Sequence, residues 1–223
     1  MRSFVRDNAL TLFFAVLCVL TIVADALVGY RAFNEEALQH QQPTISVWRY
    51  FVSAEFGEAM AENWQSEFLQ FVTFILATIW LFQRGSMESK EEKDLGLQAG
   101  AVPPGGSRAE RAPLWAKVGG LRTRVYSHSL VIVMLVFFVF SWFAQSVSHW
   151  KLYNSEQLDH HDATIGYLRF LAKPHFWEAT FQNWQSEFMA LATMTIFTVF
   201  LRQQGSTESK PVGEPHESTG VTN

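Results

Sequence analysis

The sequence predicts an all-α fold, a transmembrane four-helix bundle made of two tandem parallel repeats of a helical hairpin. Three observations predict it. Residues 5–90 and 125–210 are one module written twice, in register at an offset of 120 and without a gap. The fixed points are Asn63-Trp64-Gln65-Ser66-Glu67-Phe68 against Asn183-Trp184-Gln185-Ser186-Glu187-Phe188, and Gly85-Ser86-x-Glu88-Ser89-Lys90 against Gly205-Ser206-x-Glu208-Ser209-Lys210. Four runs, Ala9–Ala24, Phe68–Phe82, Leu130–Ala144 and Phe188–Leu201, are nearly free of charge. A soluble helix keeps a polar stripe, whereas Val131–Phe140 is apolar on every side. Finally, Lys and Arg gather near the N-terminus, in 83–124 and in the C-terminal tail, while the other two connections hold only Arg31, Arg49, Lys151, Arg169 and Lys173. By the positive-inside rule both termini and the linker are then cytoplasmic, and the two copies share one orientation.

The first module covers 1–84, with spans at about 9–30 and 60–84. Arg2, Arg6 and Ala24-Asp25-Ala26 together resemble a cleaved leader. The internal copy, Ser129–Trp150, argues that the helix is retained. Tyr30 and Trp150 fall at equivalent outer ends, and 31–43 and 151–163 read as polar loops. Ile45, Trp48, Phe51 and Val52 then recur at helical spacing, which predicts a short helix on the outer surface. Ser53 is a good N-cap for the second helix, and Pro174 suits the first turn of its copy. Gly85 and Gly205 suit the left-handed position just past the helix end.

Residues 85–124 carry a charged run and then Pro103-Pro104-Gly105-Gly106-Ser107, so they read as a flexible cytoplasmic linker. The second module covers 125–204, with spans at about 127–150 and 180–204, and 205–223 reads as a disordered cytoplasmic tail.

Glu67 and Glu187 carry the sharpest local argument. Phe68–Phe82 extends about 22 Å as a helix, against a hydrocarbon core of about 30 Å. The helix must draw in residues from its outer side, which brings both glutamates to the membrane boundary. A helical projection places Asn63, Glu67 and Thr78 on one arc beside Ser66, and the same types recur at Asn183, Glu187, Thr198 and Ser186. Charge at membrane depth faces protein and is paired, so this arc is expected to look inward. Polar glue between helices is the first reading, and an ion, proton or solute site is the alternative. Arg49 and Arg169, present in both copies, are candidate ion-pair partners.

His40, His160 and His161 are ligand types, and the second copy reads Asp159-His160-His161-Asp162. The spacing matches no metal motif, and adjacent residues in a loop are more commonly a solvated patch. No metal or other cofactor is therefore expected. The sequence holds no phosphate-binding glycine loop, nucleophile elbow or His-Glu-x-x-His. Cys18 is the one cysteine, and the basic residues form no nucleic-acid motif.

The Asn-Trp-Gln-Ser-Glu-Phe and Gly-Ser-x-Glu-Ser-Lys motifs resemble those of an uncharacterised bacterial multipass membrane family, over 5–210. The resemblance implies a polytopic membrane location and supplies no catalytic residues; the residues themselves read as those of an inner-membrane protein. The expectation is a non-enzymatic protein, structural or partner-binding. Its partners are the lipid bilayer and either a second copy or another membrane protein, and not nucleic acid. A small channel or carrier on the Glu67/Glu187 face and a membrane-bound metal enzyme are the alternatives.

Overall fold

A computed structural model of the chain describes residues 2–97 and 111–220. Among these residues the regular structure is helical, with no strand. The order is α1 (Arg2–Asp7), α2 (Ala9–Gln39), α3 (Val47–Phe51), α4 (Ala54–Trp80), a 3-10 turn (Glu92–Asp94), α5 (Leu114–Lys117), α6 (Gly120–Ser127), α7 (Ser129–Asp159), α8 (Tyr167–Leu171) and α9 (Pro174–Phe200). Part of the expected linker, 98–110, lies outside the described residues.

Helices α2 and α7 are each 31 residues long and so overrun the ends expected at Tyr30 and Trp150. The segment taken for a polar loop, Arg31-Ala-Phe-Asn-Glu-Glu-Ala-Leu-Gln39, contains neither Gly nor Pro and is mostly good helix formers, so nothing in it stops the helix. The stop comes at a Schellman turn. Gln41 adopts a φ of 57°, and the Gln42 N–H donates to the Ala37 carbonyl at 2.7 Å. His161 (φ 60°) and the Asp162 to Gln157 bond, also 2.7 Å, end α7 in the same way. The connection is then tied back. Asn34 donates to the Ile45 carbonyl and accepts from its N–H, and Asn154 does the same with Ile165.

The second pair of helices starts where expected. Ser53 Oγ accepts from the Phe56 N–H at 3.3 Å, and Pro174 occupies the first turn of α9. Their C-termini differ from expectation. Both helices, 27 residues each, stop at Trp80 and Phe200, well short of Gly85 and Gly205. The glycines do hold positive φ, 80° and 84°, but within a separate turn beyond the helix. Among the described residues two helices, α2 and α7, are long and apolar enough to cross a membrane. The N-terminal half of α4 carries Glu55, Glu58, Glu62 and Glu67, and its apolar run begins only at Phe68.

The chain divides into two compact units. The first is Met1–Ala61 with Ala144–Phe170, and the second is Glu62–Phe143 with Leu171–Asn223. In the first unit Tyr50 and Phe56 pack with Ala26, flanked by Ile22, Tyr30, Phe33, Ile45 and Met60. The Tyr50 hydroxyl lies over Gly29 where a Cβ would stand, so a larger residue there would have to push the ring aside. At the equivalent places α7 has His149 and α8 has Phe170, whose rings meet at 5.2 Å. A larger residue on the long helix is thus matched by the loss of a hydroxyl on the short one. In the second unit, rings do most of the packing. Phe68 stacks on Phe137 at 5.0 Å, Trp142 meets Phe176 and Trp177, and Trp184 meets Phe138 and Phe181.

Candidate functional site

Within the second unit the polar residues of α4 and α9 bond helix to helix. Trp184 Nε1 donates to Gln65 Oε1 at 2.7 Å, and Asn183 Nδ2 donates to Glu62 Oε1 at 2.6 Å. Ser66 Oγ donates to the Asn63 carbonyl of its own helix at 2.9 Å and lies 3.5 Å from Glu187 Oε1, and Gln70 Nε2 donates to the Glu187 carbonyl at 3.2 Å. Gln65 and Ser66 are fully buried. Losing the partner of a buried group costs about 1–3 kcal/mol, so these bonds favour one register of the two helices, although Gln65 Nε2 itself is buried without a hydrogen bond among the described residues.

The candidate arc is used unevenly. In α9, Asn183 and Glu187 point at α4, and Thr198 Oγ1 shares a hydrogen bond with Ser86 Oγ at 3.2 Å. In α4 the buried line runs through Ala61, Gln65, Ser66 and Val72, whereas Asn63 and Glu67 are exposed. Glu67 still lies close enough to Glu187 for the carboxylates to repel. Thr78 Oγ1 bonds to the Ile75 carbonyl on its own helix, and Ser186 Oγ to that of Asn183. Arg49 and Arg169 take part in no ion pair among the described residues. His40 Nδ1 sits 2.9 Å from the Glu36 carbonyl of its own helix, and His161 is the left-handed residue that ends α7. His160 closes the last turn of α7, its N–H donating to the Glu156 carbonyl. Among the described residues no three His, Cys, Asp or Glu side chains group as metal ligands would.

Sequence reasoning missed Glu62, Gln65, Gln70 and Trp184. Gln65 and Trp184 stand inside the repeated hexapeptide, but the charge of Glu67 marks its own arc, and Gln65 lies on the other side of α4. A second polar group, in the first unit, was also missed. There His149 Nδ1 lies 3.3 Å from Glu58 Oε1, and Ser146 Oγ lies 2.7 Å from Tyr167 Oη. The Gln145 amide beside them on α7 is fully buried with no hydrogen bond from either end among the described residues.

The Gly-Ser-x-Glu-Ser-Lys segment forms the same turn twice. Ser89 Oγ accepts from the Gln83 N–H at 3.0 Å, and Ser209 Oγ from the Gln203 N–H at 2.8 Å. Ser86 and Ser206 accept from the N–H groups of Glu88 and Glu208, at 3.2 and 3.1 Å. Each conserved-spacing serine therefore caps a backbone donor two or six residues away, and the glycine supplies the left-handed bend. The segment after it reads as disordered by composition, yet residues up to 220 fold around Lys210. The buried Lys210 Nζ donates to the carbonyls of Gly85 (2.7 Å), Pro215 (3.3 Å), His216 (3.0 Å) and Ser218 (2.9 Å). Burial, and then Arg202 nearby, push the Lys210 pKa down. Burial, and then the charge of Glu208, push the Glu88 pKa up.

Fold and site together define an all-helical protein with two helices able to cross a membrane and a polar seam joining two others. The chain belongs to the family described as Domain of unknown function (DUF6766), which matches residues 1–221. No curated protein and no solved structure matches it.

Proposed function

We propose that the chain is a non-enzymatic polytopic protein of the inner membrane, structural or partner-binding. It has four spans as two tandem hairpins and both termini in the cytoplasm. The observation that carries this reading is the direction of the hexapeptide's hydrogen bonds. They run from α4 to α9, which is how polar residues act when they join helices in lipid. The spans at α2 and α7 are supported by length and hydropathy. Those at α4 and α9 are supported by the apolar runs that follow each hexapeptide, with the polar seam turned away from lipid.

A small ion or solute channel is the second reading. What favours it is the pair of carboxylates, Glu67 exposed and Glu187 beside it. Reconstituted vesicles separate the two. The structural reading expects no ion flux from the wild type, and a loss of assembly when Gln65→Leu and Trp184→Phe are combined. Flux that disappears with Glu67→Gln plus Glu187→Gln, in a protein that still assembles, would establish the channel instead.

A further inference from the structure

We propose that a second copy of this chain docks head to tail on the first, the face of α4 around Trp64 and Glu67 on one copy seating against the face of α9 around Gln185 and Ser186 on its neighbour. The inference rests on the reading of the hexapeptide as a helix join, and it names the partner.

The argument comes from how the join is made inside the second unit. The first hexapeptide contributes Gln65 and Ser66, and the second contributes Trp184 and Glu187. Beyond the helices, the first module contributes Ser86 and the second Thr198. Two copies of one motif therefore meet through different sides. By about 100° per residue, the two sides lie roughly opposite each other on the helix. A join of unlike faces is heterologous, and it always leaves one face of each kind unused.

Both unused faces are present and open. Trp64 and Glu67 are exposed, where Trp184 and Glu187 are half-buried. Gln185 and Ser186 are exposed, where Gln65 and Ser66 are fully buried. Trp64 Nε1, the Glu67 carboxylate and the Gln185 amide make no hydrogen bond among the described residues. The leftover donors and acceptors are the ones already matched within the chain. Trp64 Nε1 has Gln185 Oε1 to meet, Ser186 Oγ has the Glu67 carboxylate, and Thr78 has Ser206. Two of the bonds are not reproduced in kind: Ala190 stands where Gln70 donates in the first copy, and the neutral Gln182 stands where the Glu62 carboxylate accepts from Asn183. The join between chains is therefore weaker than the join within one. A carboxylate and an indole N–H left facing lipid are costly, and each copy added head to tail covers one such face with chemistry the molecule already uses.

Cysteine cross-linking of the full chain, in a Cys18→Ser background, tests this. Gln65→Cys with Trp184→Cys, treated in the membrane with a short bis-maleimide, is the control, expected to form a bridge within one chain; the reagent is needed because the two residues meet through long side chains, which hold the backbones farther apart than a direct disulfide spans. Trp64→Cys in one tagged population and Gln185→Cys in another are then co-expressed and treated with the same reagent. A cross-linked dimer in the mixture, and in neither variant alone, is the expected result. A control bridge without the mixed dimer overturns the proposal and leaves the helix join standing. Dimers from either variant alone show that like faces meet, which also overturns it. Loss of the control bridge removes the helix join itself and the proposal with it. Native mass spectrometry of the unmodified chain is the second readout, with assemblies of two or more copies expected and Trp64→Ala shifting them to monomer. A monomeric wild type overturns the proposal.

Discussion

Single residues in this chain are held by backbone geometry as much as by packing. Gly29 lies under the Tyr50 hydroxyl, so Gly29→Ala should destabilise the protein by about 1–3 kcal/mol, as overpacking does. Tyr50→Phe removes the obstructing oxygen and should restore most of the loss, which thermal unfolding in detergent would measure. Glu88 allows a pH test. Its pKa is raised in the folded protein, by burial and then by Glu208, from an ordinary value of 4.5. The folded state therefore binds more protons than the unfolded state above that value, and stability contributed by the neutral acid is lost as pH rises through the folded pKa. The difference in melting temperature between Glu88→Gln and wild type should accordingly grow in favour of the variant from pH 4 toward neutrality. A constant difference across that range would show that Glu88 is not the group responsible.

At the scale of the element, the helix starts were legible because they rest on local chemistry. Ser53 as an N-cap, Pro174 in a first turn and the positive φ of Gly85 and Gly205 follow from side-chain reach and steric freedom alone. The ends of α2 and α7 were not, because a polar, glycine-free segment is compatible with loop and helix alike. The Asn34 and Asn154 ties to Ile45 and Ile165 favour the helix, and they are contacts eleven residues apart. Gln41 and His161, both non-glycine residues in the left-handed region, then close these helices at a cost of about 1–2 kcal/mol each. Replacing each by glycine should raise stability by about 1 kcal/mol, readable as a shift in the thermal midpoint. Lys210→Met should have the opposite effect on the C-terminal segment. It leaves four carbonyls without their ammonium donor, and limited proteolysis should then cut within 211–220 faster than in the wild type.

The whole molecule is where charge distribution and the repeat make their prediction. With Lys and Arg concentrated at 83–124 and near both termini, a cysteine introduced at 40 or 160 should be labelled from outside intact cells by an impermeant reagent, and one at 90 should not. Labelling of all three from the same side would remove the four-span reading. The candidate site was half legible at this scale. In the second copy Asn183, Glu187 and Thr198 meet α4 or the turn beyond it. Their first-copy equivalents Glu67 and Thr78 do not make the matching bonds within the chain, since Gln65, Ser66 and Ser86 occupy that role.

What the sequence by itself determined is the helical elements, where the second helix of each module starts and the polar residue types each copy carries. These depend on propensity, capping and spacing, all of which are local. The tertiary structure alone decided which face of each hexapeptide helix is used. Two nearly identical segments carry the same two faces, so composition and periodicity weigh both equally. Only packing one copy against the other in a single chain selects one face from each, burying Gln65 and Ser66 while leaving Gln185 and Ser186 at the surface.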